Sequence, residues 1–278
     1  MRTAIATTLA LFLAATASAQ GWRDVIGKIN PDKIKKGANV LSSATKEFTE
    51  DEEADIGRVV AARVLATYPL AADEKLQKYV TLVGNTVAAY SARPTLEWHF
   101  AVIDTPIVNA FSCPGGFIFI TSGAMKMIKS EAELAAVLGH EIGHTTQKHI
   151  LKEIKRASTI SAGLDLAKTT SSGSFLNDEI GQKISDLAYE KLFTKGLSQR
   201  DEFEADKVGV ELAAAAGYRS AELVTFIDDL GKHEKVKSSM LATHPSPSDR
   251  IAAIKPLIDQ DGEVLAERWA QWTQLSAK

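Results

Sequence analysis

The chain has 278 residues, 45% of them hydrophobic, which is enough apolar material for a sizeable buried core. Its 32 Lys and Arg residues and 35 Asp and Glu residues give a formal net charge of −3. This balance supplies no basic field for a nucleic-acid backbone, and no Lys/Arg cluster is interleaved with aromatic residues. We therefore expect a single globular domain and no nucleic-acid partner.

The first residues have the pattern of an export signal. Arg2 gives a positive start, residues 4–17 form an apolar run, and Ala17-Ser18-Ala19 fits an A-x-A cleavage site. We expect residues 1–19 to be a signal peptide and Gln20 to begin the mature chain. Because the run is short for a membrane span, we expect an exported, soluble periplasmic protein. Its mature chain would have no transmembrane helix, and association with the outer membrane stays open.

The rest of the chain divides into an arm and a domain. Residues 20–44 are polar and contain Gly and Lys, which predicts a loosely packed N-terminal arm before a domain of residues 45–278. Within the domain, residues 49–66 and 72–90 have helical periodicity with acidic first turns, and residues 96–104 have the pattern of a strand. Most of the C-terminal half is predicted to be helical. The sequence thus predicts a helix-rich α+β domain.

Residues 108–121 predict a loop that leads into a short apolar strand from Phe117 to Thr121. Gly115 and Gly116 in the loop would permit a close approach of another backbone. The strand is either buried after a tight turn or offers its edge to an extended peptide. Cys113, the only cysteine, excludes an intrachain disulfide. It is interpreted as a small apolar filler, with a Cys-His nucleophile as the alternative.

The strongest chemical signal is the sequence H-E-I-G-H at residues 140–144. Ser130 predicts the N-cap of a helix that carries this stretch on a partly apolar face. Positions four apart share a helix face, so His140 and His144 can bind one metal ion while Glu141 stands beside the open coordination position as a base. Because burying these groups unpaired is costly, a hydrolytic zinc site is predicted. A solvent-facing helix without a catalytic role is the alternative.

The third ligand must come from elsewhere in the chain. His149 follows the second histidine by five residues, whereas the metzincin pattern needs six with a glycine between them. We therefore expect His149 on the exposed side of the same helix. Residues 198–209 predict an acidic, well-capped helix with Glu202 and Asp206 on one face. A carboxylate from this helix would complete a His₂Glu zinc set, and a solvated acidic helix is the alternative.

Four separated pieces of the sequence resemble metallopeptidase family 48, a family of gluzincins. They are, in order, Asn109-Ala110-Phe111 with Pro114-Gly115-Gly116, the stretch 140–144, Glu202-Phe203-Glu204-Ala205-Asp206, and Thr243-His244-Pro245 with Arg250. The resemblance implies a zincin-type metallopeptidase domain with a small β-sheet beside the H-E-x-x-H helix. No second apolar run has membrane length, so the similarity is to the soluble periplasmic branch rather than to membrane-embedded members such as the CAAX prenyl protease.

The resemblance implies a role for each matching residue. Three donors would hold one Zn²⁺ ion per chain, namely His140, His144 and Glu202. Glu141 would be the catalytic general base. Asp206 would be a catalytic-site carboxylate that orients a ligand histidine, and an ordinary salt bridge with Arg200 is the alternative for Asp206.

Two further roles follow from the resemblance. The strand that begins at Gly115, Gly116 and Phe117 would border the cleft as the substrate-edge strand, where a protein or peptide substrate in extended conformation can pair. His244 would approach the zinc as a fourth ligand in a latent form, stabilise the transition-state oxyanion, or only cap local structure.

Two functions from different classes remain. The first is a zinc metalloendopeptidase that cleaves exported or misfolded envelope proteins with water activated by Glu141. The second is a zinc-containing periplasmic chaperone-like or binding protein whose site is latent because His244 plugs it. The intact Glu141 favours the peptidase, because a purely structural metal site needs no base. Residues 158–174, predicted to be a weak helix ending in a mobile loop, are candidates for a gate over the cleft.

Overall fold

The computed structural model describes residues 19–28, 47–160, 179–232 and 244–276. The helices are α1 (Ala19–Ile26), α2 (Glu50–Thr67), α3 (Glu74–Ala88), α4 (Ser122–Met127), α5 (Glu131–Thr146), α6 (His149–Ile160), α7 (Glu179–Glu190), α8 (Gln199–Ala215), α9 (Glu222–Lys232), α10 (Pro247–Ile254) and α11 (Ala266–Ser276). The strands are β1 (His99–Ile103), β2 (Ala110–Cys113) and β3 (Phe117–Thr121). Within these ranges no helix combines the length and apolar character that crossing a membrane requires.

Local signals account for where the first helices begin. The Thr49 hydroxyl accepts the backbone N–H of Glu52 at 3.3 Å, and the Glu52 carboxylate accepts the backbone N–H of Thr49 at 2.9 Å, a complete capping box for α2. The side chain of Asp73 caps α3 in a similar way. The predicted helix-rich α+β architecture is confirmed, and the two predicted helices and the predicted strand correspond to α2, α3 and β1. The predicted signal peptide up to residue 18 and the predicted gate from residue 161 lie outside the described residues.

The strands form one sheet in the order β1-β3-β2, so β3 is the central strand. β3 runs parallel to β1, with His99 opposite Phe117, and antiparallel to β2, with Cys113 opposite Phe117. The prediction that the strand starting at Phe117 is a substrate edge therefore needs correction. Both sides of its backbone are used inside the sheet, and the strands that pair with β3 on one side only are β1 and β2.

The two glycines between β2 and β3 permit close approach of the protein's own backbone. Gly115 and Gly116 have φ values of 72° and 90°, in the left-handed region where a Cβ is unfavourable. A Cβ on Gly115 would lie 2.6 Å from the Cα of Ala54 in α2, and one on Gly116 would lie 2.7 Å from the carbonyl oxygen of Glu97. Gly115 also donates its N–H to the Glu53 carboxylate at 3.2 Å. These glycines thus hold the turn against α2 and the segment before β1.

Each face of the sheet is buried against its own group of helices. Phe100 and Ile118 belong to a cluster formed with α3 and α5, whereas Ile103 and Phe119 belong to a cluster formed with α1, α2, α6 and α7. Cys113 lies in the second cluster, where burial raises the pKa of its thiol well above the usual range. A thiol held in its neutral form is a weak nucleophile, which agrees with the filler interpretation.

Part of the predicted N-terminal arm is packed into the domain. In α1, Trp22 is 2% exposed and Val25 is buried with it in the second cluster. The Trp22 ring lies 5.1 Å from that of Phe119, centroid to centroid. The expectation of a loosely packed arm is therefore wrong for α1, because its few apolar residues share one helix face while the overall composition of residues 20–44 is polar.

The Trp22 ring also covers a buried histidine, His99. The His99 side chain is 1% exposed. It stacks on Phe117 with ring centroids 4.6 Å apart and meets Trp22 edge-on at 5.9 Å. Its Nδ1 has no hydrogen-bond partner. Burial, reinforced by the positive charges of Arg58 and Lys28, lowers the pKa of His99 from 6.5 to about 3.

This shift makes the stability of the fold sensitive to acid. Between pH 6.5 and pH 3 the unfolded chain binds a proton at His99 that the folded chain does not, so stability present above pH 6.5 is lost as the pH falls. We expect the free energy of unfolding of the wild type to drop by about 2 kcal/mol more than that of His99→Phe between pH 7 and pH 5. Urea unfolding of both chains at each pH measures this difference. A difference between the two chains that stays the same at both pH values would contradict the assignment.

Candidate metal centre

The predicted metal-binding stretch lies in the last turns of α5, inside the protein. Ser130 caps the helix by accepting the N–H of Glu133 at 3.1 Å. The Glu133 carboxylate accepts the N–H of Lys129 at 2.7 Å rather than that of Ser130, so the cap is shifted by one residue from the usual box. All residues from Glu131 to Thr145 are buried. Any polar side chain on this helix must therefore find a partner within the protein.

Small residues bring α5 and α8 into close contact. A Cβ on Gly209 of α8 would lie 2.8 Å from the backbone nitrogen of His140, and a Cβ on Gly143 would lie 3.1 Å from the Cα of Ala205. The distance between packed helices depends on the side chains at the crossing, and here the backbones meet almost directly. The crossing places Glu202, near the start of α8, against the two histidines. The sequence signal for this crossing is a pair of small residues four apart on each helix, a pattern that the site prediction did not use.

Three donor groups converge at this crossing. The Nε2 atoms of His140 and His144 are 3.0 Å apart, and the Glu202 carboxylate oxygens lie 3.7 Å and 3.6 Å from them. Ligands about 2.05 Å from a tetrahedral zinc ion are separated by about 3.3 Å, because a tetrahedron's edge is 1.63 times its centre-to-corner distance. The three side chains are at most 4% exposed. The spacing, the burial and the donor types together fit a metal ion.

The charge states at the crossing also suit a cation. Burial alone would raise the pKa of Glu202, but the His244 and His144 rings outweigh it and hold that pKa well below its usual value. Burial keeps the pKa of His144 low, so its ring is neutral and has a lone pair to offer. Burial also disfavours a charged His140, but the Asp206 carboxylate outweighs it and raises the pKa of His140. Metal ligands must bind in deprotonated form, and an electron-rich imidazole binds more tightly.

Asp206 lies behind His140 and is fully buried. Its Oδ1 is 2.8 Å from the Nδ1 of His140. Both of its oxygens accept from the guanidinium of Arg250, at 2.8 Å from Nε and 2.6 Å from Nη2. Its ion-pair partner is thus Arg250 of α10 and not Arg200, which is exposed at the start of α8. Arg250 had no predicted role, because no local pattern connects it to the helix that carries His140 and His144.

His149 does not lie where its spacing predicted. α5 ends at Thr146, Lys148 adopts a left-handed conformation with φ 57°, and His149 begins α6. The His149 side chain is 0% exposed, and its Nδ1 lies 2.8 Å from the Nδ1 of His144. The expectation of an exposed residue is wrong because the turn at Lys148 breaks the helix on which that expectation depended.

Glu141 faces a cleft beside the three donors. The cleft is bordered by the strand β2, by the turn after α7 and by His244. The Glu141 side chain is 2% exposed, and burial raises the pKa of its carboxyl. Apolar side chains on the walls come from Phe111, Leu192 and Leu197. The cleft thus combines a carboxylate of raised basicity with apolar walls and with residues of β2, a strand that pairs with β3 on one side only.

His244 lies at the opening of the same cleft. Its Nδ1 contacts the Oε2 of Glu202, and its ring centroid is 6.2 Å from that of His140. One ligand atom each from His140, Glu202 and His244 lie within 4.8 Å of one another. His244 therefore lies close to the predicted metal donors, because its ring contacts Glu202, the donor that α8 supplies.

Comparison with known proteins agrees with this geometry. The chain is similar to the Beta-barrel assembly-enhancing protease of Yersinia pestis, with 27% identity over 231 residues, covering 77% of this chain and 45% of that protein. It is similar to the protein of the same name from Escherichia coli strain K12, with 23% identity, covering 86% of this chain and 52% of the relative. The Mitochondrial metalloendopeptidase OMA1 of Arabidopsis thaliana is 33% identical over 179 residues, covering 64% of this chain and 35% of that protein.

The chain spans about half the length of these bacterial relatives and about a third of the plant one. At the family level, residues 74–258 match the model of Peptidase family M48. That range includes β1 to β3, the histidine helix α5, the acidic helix α8, and both His244 and Arg250. The match covers more than half of the chain, so the family resemblance is confirmed and this chain belongs to Peptidase family M48.

Proposed function

We propose that this chain is a zinc-dependent metalloendopeptidase that cleaves exported or misfolded envelope proteins. The observation that carries the proposal is the convergence of two imidazoles and a carboxylate beside a buried glutamate that lines a cleft. His140, His144 and Glu202 would hold one zinc ion, since their spacing matches the edges of a zinc tetrahedron. When bound, zinc polarises a carbonyl and lowers the pKa of water to about 7.

Glu141 carries the proton transfers in this proposal. Its carboxylate accepts a proton from the attacking water and delivers it to the amine that leaves when the peptide bond breaks. A base works best when its pKa is near the operating pH, and the burial of Glu141 moves its pKa in that direction. Asp206, held by Arg250, keeps the His140 ring oriented, which is the role proposed for it from the family resemblance.

The substrate would bind as an extended strand along β2. Residues 110–112 line the cleft, and β2 pairs with β3 on one side only. Main-chain hydrogen bonds to an added strand give affinity with little sequence preference. Pockets for alternate side chains give specificity. Leu192 and Leu197 offer apolar contacts that an unfolded protein can satisfy. This role replaces the one predicted for Gly115, Gly116 and Phe117.

The compartment is proposed from the N-terminal sequence and the relatives. The pattern of residues 1–19 supports export, and the relatives named as Beta-barrel assembly-enhancing proteases support a task in the cell envelope. On the same grounds we propose a periplasmic location and a role in the quality control of envelope proteins.

A second function is favoured by the position of His244. Because its ring contacts Glu202 at the mouth of the cleft, it can occupy the position that water or substrate needs. A site plugged in this way would retain its metal without turnover, as in a chaperone-like or binding protein. A partial plug would make the peptidase latent.

Casein degradation by the chain that starts at Gln20 separates these possibilities. We expect one zinc ion per chain, cleavage that a chelator abolishes and zinc restores, and faster cleavage by His244→Ala. If the plug is closed in nine of ten molecules, its removal raises activity about tenfold. Zinc bound in every form with no cleavage by any form would reject the peptidase and favour the binding protein. Equal activity of wild type and His244→Ala would reject latency.

A further inference from the structure

The two ligand histidines differ in what lies behind them. The outer nitrogen of His140 faces the carboxylate of Asp206. The outer nitrogen of His144 faces another histidine, His149, at 2.8 Å. We propose that His149 is a positioning residue that accepts the proton of His144 Nδ1 and donates its own proton to Glu204, so that a two-ring relay fixes the metal-binding tautomer of His144. This inference rests on the proposed zinc site.

The tautomers follow from the number of protons available. A neutral imidazole has one N–H, and the nitrogen that faces the metal must have a free lone pair. His144 directs Nε2 toward His140 and Glu202, so its proton must be on Nδ1. The Nδ1 of His149 must then accept that proton in a hydrogen bond, which places the single proton of a neutral His149 on its Nε2.

The surroundings of His149 supply the acceptor that this tautomer needs. Its Nε2 lies 3.4 Å from the Oε2 of Glu204 and 3.7 Å from the Oδ1 of Asp201, both in α8. The His149 side chain is fully buried, so water does not compete for its nitrogens. Burial also keeps a neutral ring favoured over a charged one. Glu204 therefore acts on His144 indirectly, because it accepts a proton from the His149 ring that in turn accepts the proton of His144.

The relay connects three helices at one end of the metal centre. His144 is in the last turn of α5, His149 begins α6, and Glu204 is in the second turn of α8. Without the relay the His144 ring could rotate about its side-chain bonds and lose the direction of Nε2. Groups behind metal ligands typically contribute 10-fold to 100-fold to metal affinity.

The zinc affinity of variants tests the relay in the full chain from Gln20. Competition with a chelator should show that His149→Phe binds zinc about 10-fold to 100-fold more weakly than wild type. His149→Asn, whose side-chain oxygen can stand close to the position of Nδ1, should recover most of that loss. Glu204→Ala should weaken zinc binding more than Glu211→Ala, which removes an exposed carboxylate from the same helix.

Imidazole nitrogen–proton NMR correlations of the zinc-loaded wild type provide a second measurement that does not depend on any variant folding. We expect His144 to carry its proton on Nδ1 and His149 on Nε2. A His149 ring protonated on Nδ1, or unchanged zinc affinity in His149→Phe, would overturn the inference while the proposed zinc site stands. Two zinc ions per chain, with the second lost in Glu204→Ala, would also overturn it, because a metal would replace the proton on Nε2. A wild type that binds no zinc would overturn the proposed function itself.

Discussion

Replacing Glu141 by glutamine is expected to lower kcat for peptide hydrolysis by about 100-fold to 10,000-fold, the range contributed by a general base. Glutamine has nearly the same size and shape but cannot take a proton from water. Glu141 is not one of the three converging donors, so zinc content and melting temperature should stay close to those of wild type. The measurement is the rate of casein cleavage together with the zinc content of each protein.

A matched control lies on the same helix. Glu133 is also buried in α5, and its carboxylate accepts the N–H of Lys129, a bond that a glutamine carbonyl can keep. Glu133→Gln should therefore retain full activity, which separates loss of the base from a general disturbance of α5. Loss of zinc from Glu141→Gln, or equal activity of the two variants, would reject Glu141 as the base.

Replacing Arg250 by methionine is expected to destabilise the fold by about 3–5 kcal/mol, the usual effect of removing one partner of a buried ion pair. Asp206 is 0% exposed, and Arg250 supplies two of its hydrogen bonds. Without the guanidinium, the partner that remains for Asp206 among the described residues is the His140 ring. Methionine retains much of the volume of the arginine stem, so the loss reports on charge more than on packing.

Urea unfolding in the presence of a chelator measures this effect without the contribution of bound metal. Arg200→Met is the matched control, because Arg200 is the partner that the sequence suggested for Asp206 and is exposed at the start of α8. A surface substitution of this kind should change the free energy of unfolding by less than about 0.5 kcal/mol. Similar losses in the two variants would contradict the importance of the buried pair.

The residues of the candidate site were predictable because the patterns that reveal them, a helix cap and a spacing of four residues, each lie within a single helix. Ser130 marks the start of α5, and the spacing of four residues places His140 and His144 on one face of any helix that contains them. The same reasoning placed Glu202 and Asp206 on one face of α8. These are properties of a single helix, and they do not depend on what packs against it.

The order of the strands was not predictable in the same way. β3 is apolar at nearly every position because both of its faces are buried, so its pattern does not show whether a strand lies on each side of it. The edge of the sheet at β2 follows from the turn at residues 114–116, whose direction depends on the backbone of α2. The strand β2, along which we propose that the substrate binds, therefore lies one strand further out than the sequence predicted.

The chemical groups that this protein can offer, two imidazoles and two carboxylates on two capped helices, are readable from local sequence patterns. Whether they meet depends on tertiary packing, because Gly143 and Gly209 lack the side chains that would hold α5 and α8 apart. Packing also places Arg250 behind His140 and His149 behind His144. Helical spacing acts over four residues, whereas these contacts join elements that only the packing of the whole domain brings together.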